Sequence, residues 1–160
     1  MSVDAPADCV FPWLAQMGPD PRGGAYTYDW IENLLGLHMH SADHVLEEFQ
    51  HPRLGESIEF GGNRLILQHV DPPHALAWRS ADGNWLWSFT IRDDGPGRTR
   101  LISRNRYRLP RTIDRIGMAP MEPASLVMEQ KMLRQIAVRA EQLAARRSAT
   151  DGSPGDGTSA

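Results

Sequence analysis

Between residues 84 and 92 the chain alternates. Trp85, Trp87, Phe89 and Ile91 fall on one parity, and Leu86, Ser88, Thr90 and Arg92 on the other. A period of two puts the sets on opposite faces of a strand, one of them buried. The same reading predicts short strands at 56–60, 64–70, 74–80, 84–92 and 98–109. Turn signals separate them at Gly61-Gly62, Asp71-Pro72-Pro73, Asp82-Gly83 and Gly95-Pro96-Gly97. Sequential strands joined by short turns make an antiparallel meander, and Asp82-Gly83 is the strongest hairpin signal.

On either side of the strands the period is helical. Val10, Trp13, Leu14 and Met17 predict a helix over 8–17, with Pro12 in its first turn, where a missing N–H costs least. A Gly- and Pro-rich loop follows at 18–24. Residues 28–35 predict a second helix stopped by Gly36, and 41–48 a further helical turn capped by Ser41 or Asp43. A connection at 110–122 leads to the longest helix, 123–147, with Pro123 in its first turn. Leu126, Leu133, Ile136, Ala140 and Leu143 form its apolar stripe, flanked by Met128 and Met132. Residues 148–160 are small and polar and are expected to be a disordered tail, so 1–147 reads as one domain.

Composition narrows the function classes. At 160 residues, 41% hydrophobic and 23% charged, the chain has the balance of a globular domain. Five Trp and seven Met are side chains that fill cores and also line cavities for apolar ligands. A net charge of −3 gives no drive toward nucleic-acid backbones. Cys9 is the lone cysteine, which excludes an intramolecular disulfide and a multi-cysteine zinc site. Met1 to Asp8 lack the basic and apolar regions of a signal peptide, and no apolar run approaches the roughly 18 residues that span a bilayer. These features predict a cytoplasmic protein without integral membrane association, and no cofactor motif is present.

Several segments resemble the SRPBCC superfamily, in the START-like branch described as polyketide-cyclase or dehydrase-like and common in actinobacteria and other soil bacteria. They are Pro12-Trp13-Leu14, Gln16-Met17-Gly18, Arg22-Gly23-Gly24, Tyr28 to Leu34, His40 to Asp43 and Met128 to Leu133. The resemblance runs from about Val3 to Ala145. It implies an α+β helix-grip fold, a curved antiparallel sheet wrapped around a long C-terminal helix with a cavity between them. Members of the superfamily bind lipids, sterols or polyketides, and a few catalyse cyclisation or dehydration. The chain departs from the pattern at its start. Only Met1, Ser2 and Val3 precede Asp4-Ala5-Pro6, so the first strand is largely missing, leaving a sheet edge with unpaired backbone groups. A start codon placed late is the favoured reading; a frayed edge and a strand supplied by a partner are the others.

Glu129 falls in register with the apolar stripe. It reads either as a carboxylate facing a cavity, a ligand anchor or general acid, or as an edge position reaching water or a strand arginine. In the last strand Leu101, Ser103, Asn105, Tyr107 and Leu109 share one face, opposite Arg100, Ile102, Arg104, Arg106 and Arg108. With the arginines in solvent, Ser103, Asn105 and Tyr107 point inward, either as polar groups of a pocket or as partners of backbone and buried water. Trp85, Trp87, Phe89, Met128, Met132 and Ile136 complete the expected lining, with Tyr26 and Trp30 over its mouth. His38, His40, Asp43 and His44 match no metal signature and read as surface residues. Arg22-Gly23-Gly24 lacks the ending of a phosphate loop and reads as a tight structural bend.

Three functions remain in view. The first is binding of an apolar, lipid- or polyketide-like small molecule in the cavity, with no assigned reaction. The second is a cyclase or dehydratase-type enzyme using Glu129 or Tyr107 for proton transfer. The third is a protein-interaction domain working through the open sheet edge, and a homodimer is among the assemblies considered.

Overall fold

The computed structural model describes residues 1–34, 38–60, 62–108 and 121–151. Gly36, Gly61, most of the 110–122 connection and the end of the tail lie outside them. Six strands form one antiparallel sheet in the order β1-β6-β5-β4-β3-β2. They are β1 (Ser2–Val3), β2 (Ser57–Phe60), β3 (Asn63–Asp71), β4 (Ala75–Ser80), β5 (Trp85–Asp93) and β6 (Thr99–Tyr107). From β2 onward each strand hairpins onto the next, as alternation and turn residues predict. At the fourth hairpin Trp85 faces Tyr107 and Asp93 faces Thr99. The sheet curves. In β3 the pairing jumps from Leu67↔Trp78 to His69↔Ala77, so Gln68 is an extra residue, and such a bulge bends its strand.

Helix α1 (Ala7–Ala15) contacts β4, β5 and the long C-terminal helix α3 (Met121–Asp151). Its Ala7, Cys9, Val10, Phe11, Trp13, Leu14 and Ala15 are all buried. That burial accounts for a departure from expectation. Pro12 lies inside the helix, not in its first turn. A proline there costs about 3 kcal/mol, which a helix buried on nearly every side can carry. Together with Leu65, Leu67, Leu76, Trp78, Phe89, Ile91, Leu101, Met132, Ile136 and Ala140, α1 builds the core. This is the helix-grip arrangement.

The segment between α1 and β2 is held by side chains. Arg22 donates to the carbonyls of Met17 (2.9 Å) and Ala15 (2.7 Å) at the end of α1 and lies 4.5 Å over the Phe49 ring. Gly23 N–H donates to the Gln16 carbonyl, and Gly18 pairs with Gly24. The Arg-Gly-Gly segment is thus a structural bracket. Asp29, first residue of α2 (Asp29–Leu34), accepts from the backbone N–H and hydroxyl of Ser41. Gln16, fully buried, accepts from Leu46 N–H and donates to the His44 carbonyl. These bonds correct the helix expected at 41–48. Ser41 is bound away from a capping role, Leu46 is held extended, and a single helical turn forms at Glu47–Phe49.

Helix α3 is longer than predicted at both ends. Its C-terminal end runs to Asp151, with the Ser148 and Thr150 hydroxyls donating to the carbonyls of Ala144 and Arg146 four residues back. The small polar residues 148–151 therefore extend the helix instead of beginning the tail. The apolar stripe starts later than predicted. Ile136 and Ala140 are fully buried, whereas Leu126 is 57% exposed. At the sheet edge β1 pairs only Ser2 with Arg100 and Val3 with Thr99, and Met1 bonds Leu101. Beyond Leu101 the outer side of β6 has no strand partner among the described residues.

Candidate functional site

Cross-strand register places the site. Trp85 faces Tyr107, Trp87 faces Asn105 and Phe89 faces Ser103 across β5 and β6, and directly opposed residues share a sheet face. The rings of Tyr107, Trp85 and Trp87 stack in a row, with centroids 5.7 and 5.8 Å apart and planes within 16° and 19°. Phe60 leans on Trp87 at 5.2 Å. Phe60 stands on β2, three strand spacings from β5, or roughly 14 Å in a flat sheet at ~4.8 Å per spacing. Ring contact over that distance requires the sheet to curl round its concave face.

The curl leaves a cavity of about 230 Å³ beneath the N-terminal half of α3. Its walls are Phe60, Trp85, Trp87 and Tyr107 from the sheet, Met128, Glu129 and Met132 from the helix, and Ala25 and Thr27 from the loop, with Asn105 at the rim. Glu129 thus faces the cavity, the first of its two readings. The Glu129 Oε1 accepts from the Ser103 hydroxyl at 2.5 Å and from Asn105 Nδ2 at 3.2 Å. Each of these partners is bound in turn by an indole. Trp87 Nε1 donates to Ser103 Oγ at 3.2 Å, and Trp85 Nε1 donates to Asn105 Oδ1 at 2.8 Å. Two parallel relays, Trp87 to Ser103 and Trp85 to Asn105, therefore end on one carboxylate oxygen. Burial, and then the Glu129 charge, push the Tyr107 phenol above its ordinary pKa. It is therefore a neutral hydrogen-bonding group near pH 7. Thr27 Oγ1 is buried without a partner among the described residues.

The expected residues divide. Trp85, Trp87, Asn105, Tyr107, Met128, Glu129 and Met132 line the cavity, and Ser103 stands behind them as a partner of Glu129. Phe89 and Ile136 belong to the packed core. Tyr26 and Trp30 do not cover the mouth. Tyr26 adopts φ 58°, which turns its ring into the core against Trp13 at 6.0 Å, with the Arg139 guanidinium 5.0 Å over it. Trp30 is 69% exposed on α2. Ala25, Thr27 and Phe60 were missed. Phe60 had a signal, since Ile58 and Phe60 alternate with Ser57 and Glu59; the two loop residues had none. His44 bonds Asp43 at 2.8 Å, and His38 and His40 are exposed around a buried Met39. No cluster of metal-ligating side chains occurs among the described residues, and no described helix is long and apolar enough to cross a membrane.

A wider groove of about 620 Å³ lies between α1, residues 45–53 and the Pro72-Pro73 turn. Asp8, Glu47, Arg53 and Arg147 lie along it, and it has none of the stacked rings that distinguish the cavity under α3.

No protein-family model matches the chain, and no curated protein matches it in sequence. Solved structures align with most of the chain at low identity. The Aha1 dimer protein of Colwellia psychrerythraea aligns over 82% of this chain and 89% of its own, at 14% identity and a TM-score of 0.45. CalU16 of Micromonospora echinospora aligns over 91% and 83%, at 16% identity and a TM-score of 0.39. The Polyketide_cyc-like protein Cgl2372 of Corynebacterium glutamicum aligns over 95% and 90%, at 11% identity and a TM-score of 0.39.

Proposed function

We propose that the chain binds a small molecule with an apolar body in the cavity between β5, β6 and α3. The observation that carries this reading is the wall itself. Tryptophan, tyrosine, phenylalanine and methionine surround an open volume, and a fixed carboxylate stands among them. Packed interiors leave few voids larger than a water molecule, whereas ligand pockets combine apolar walls with a few placed polar groups. An engineered apolar cavity of about 150 Å³ already admits benzene. The present volume therefore suits a ring with a short chain attached.

The test is native mass spectrometry of the freshly purified protein for a co-purifying molecule, followed by titration with a panel of aryl and alkyl compounds. Quenching of Trp85 and Trp87 reports occupancy. Met128→Trp, at a partly exposed wall position, is designed to fill the space without entering the core. It should abolish binding while leaving the far-UV spectrum and Tm near wild type. Binding unchanged in that variant, or no binding across the panel, rejects the proposal.

A second reading as an acid–base enzyme has one observation in its favour, that Glu129 and Tyr107 border the same cavity. It predicts turnover of a carbonyl substrate that falls by orders of magnitude in Glu129→Gln. Binding ranks first because both donors to Glu129 among the described residues are neutral groups fixed by tryptophans, an arrangement that holds a carboxylate still.

A further inference from the structure

We infer that the ligand of this cavity is a cation, an ammonium group carried on an aryl or short alkyl body, held between Glu129 and the stacked rings. The inference rests on the cavity being the ligand site and names the chemistry that site selects. Its starting point is a charge imbalance. Glu129 receives hydrogen bonds from a hydroxyl and an amide, both neutral and both on Oε1. No described group bonds Oε2, and no described lysine, arginine or histidine forms an ion pair with this carboxylate. Lys131, two residues along the same helix, lies 5.5 Å over the Tyr28 ring instead. The arginines at 100, 104 and 106 lie on the opposite face of β6 and are exposed.

Glu129 is partly exposed and its donors are neutral, so no charge on the wall offsets its own. The indole N–H groups are already donated to Asn105 and Ser103, so the relays supply partial positive charge at Oε1 and leave the other oxygen for the occupant. The stacked Tyr107, Trp85 and Trp87, with Phe60 beside them, bring no charge of their own, so Glu129 sets the sign of the wall. An acid would meet the Glu129 charge. A neutral apolar molecule would gain the burial and leave the carboxylate unpaired. An ammonium on an apolar body satisfies both.

The experiment compares three probes of nearly equal shape, 4-phenylbutylamine, 4-phenylbutanol and 4-phenylbutyrate. Calorimetry at neutral pH, where the amine is charged and the acid ionised, gives their affinities. In wild-type protein the amine should bind about tenfold more tightly than the alcohol, with the acid weakest. Raising the salt from about 50 to about 500 mM should weaken the amine several-fold and leave the alcohol unchanged. Glu129→Gln should bring the amine to the affinity of the alcohol, with the alcohol moving less than about twofold. The wild-type comparison and its salt dependence stand even if that variant folds poorly. An alcohol or acid that equals or exceeds the amine overturns the inference and leaves the cavity as a binding site. Failure of all three probes removes both.

Discussion

The hydrogen bond from Ser103 to Glu129 is where the site's rigidity can be measured. Ser103→Ala removes two interactions, the donation to Glu129 and the acceptance from Trp87 Nε1. Trp87 is 5% exposed, so its N–H is left with little access to water. An orphaned buried donor costs about 1–3 kcal/mol. A hydrogen bond to a charged group contributes about 1.5–3 kcal/mol in a dry site, which the partial exposure of Glu129 reduces to about 1 kcal/mol. The single variant should therefore lose about 2–4 kcal/mol. Glu129→Ala forfeits the same bond and the longer one from exposed Asn105, strands no indole, and should lose about 1 kcal/mol. Together they should cost less than the sum of the two, by a coupling of about 1 kcal/mol. Urea unfolding of wild type, both singles and the double variant, followed by far-UV circular dichroism, gives that coupling directly. Tryptophan emission adds a second signature, since Trp87 loses its acceptor in Ser103→Ala and keeps it in Glu129→Ala. A coupling within error of zero would mean that Ser103 does not fix the carboxylate, and the relay from Trp87 would go with it.

Other consequences are quicker to check. Burial raises the phenol pKa of both Tyr26 and Tyr107, so alkaline difference absorbance should show both ionising above free tyrosine, with Tyr107→Phe deleting one transition. Because these folded-state values exceed the unfolded ones, their contribution is fully present below about pH 10 and is lost as pH rises through the folded values. Unfolding free energy that increases with pH there would contradict the assignment. Glu129→Gln should lower the Tyr107 midpoint, since the carboxylate charge is the second cause of its shift. Gly24→Ala should cost about 3 kcal/mol or more, because φ is +75° and a Cβ would stand 2.7 Å from the His40 carbonyl oxygen. Gly62→Ala, at φ +74° with nothing within 4 Å, should cost only about 1 kcal/mol for the left-handed backbone. Equal losses in the two glycine variants would show that the close approach is not maintained.

The strands and the long helix were legible because burial on one face writes a period into the chain. Alternation at Trp85, Trp87, Phe89 and Ile91, and spacing at Met132, Ile136 and Ala140, each survive any detail of the loops. Where expectation failed, a tertiary contact had replaced a local preference. Tyr26 and Trp30 are expected together over the mouth of a pocket, but a left-handed Tyr26 turns its ring into the core while Trp30 stands exposed. Ser41 looks like a helix cap in sequence, yet Asp29 twelve residues earlier takes its hydroxyl and its N–H. Pro12 was set at a helix start because proline prefers it, while the buried faces of α1 carry it inside.

The candidate site shows the limit most clearly. Parity alone put Ser103, Asn105 and Tyr107 on the face of Trp85 and Trp87, and helical spacing put Glu129 above them. What parity cannot give is which residue stands beside which. The two indoles bond diagonally, Trp85 to Asn105 and Trp87 to Ser103, each two residues from the partner directly opposite on β6. That diagonal depends on the register set by the turn between Asp93 and Thr99. A shift of two residues would keep every side chain on its face while presenting Glu129 with different neighbours. The pocket's apolar character is therefore a property of pattern. The fixed carboxylate, on which a cationic ligand depends, is a property of register.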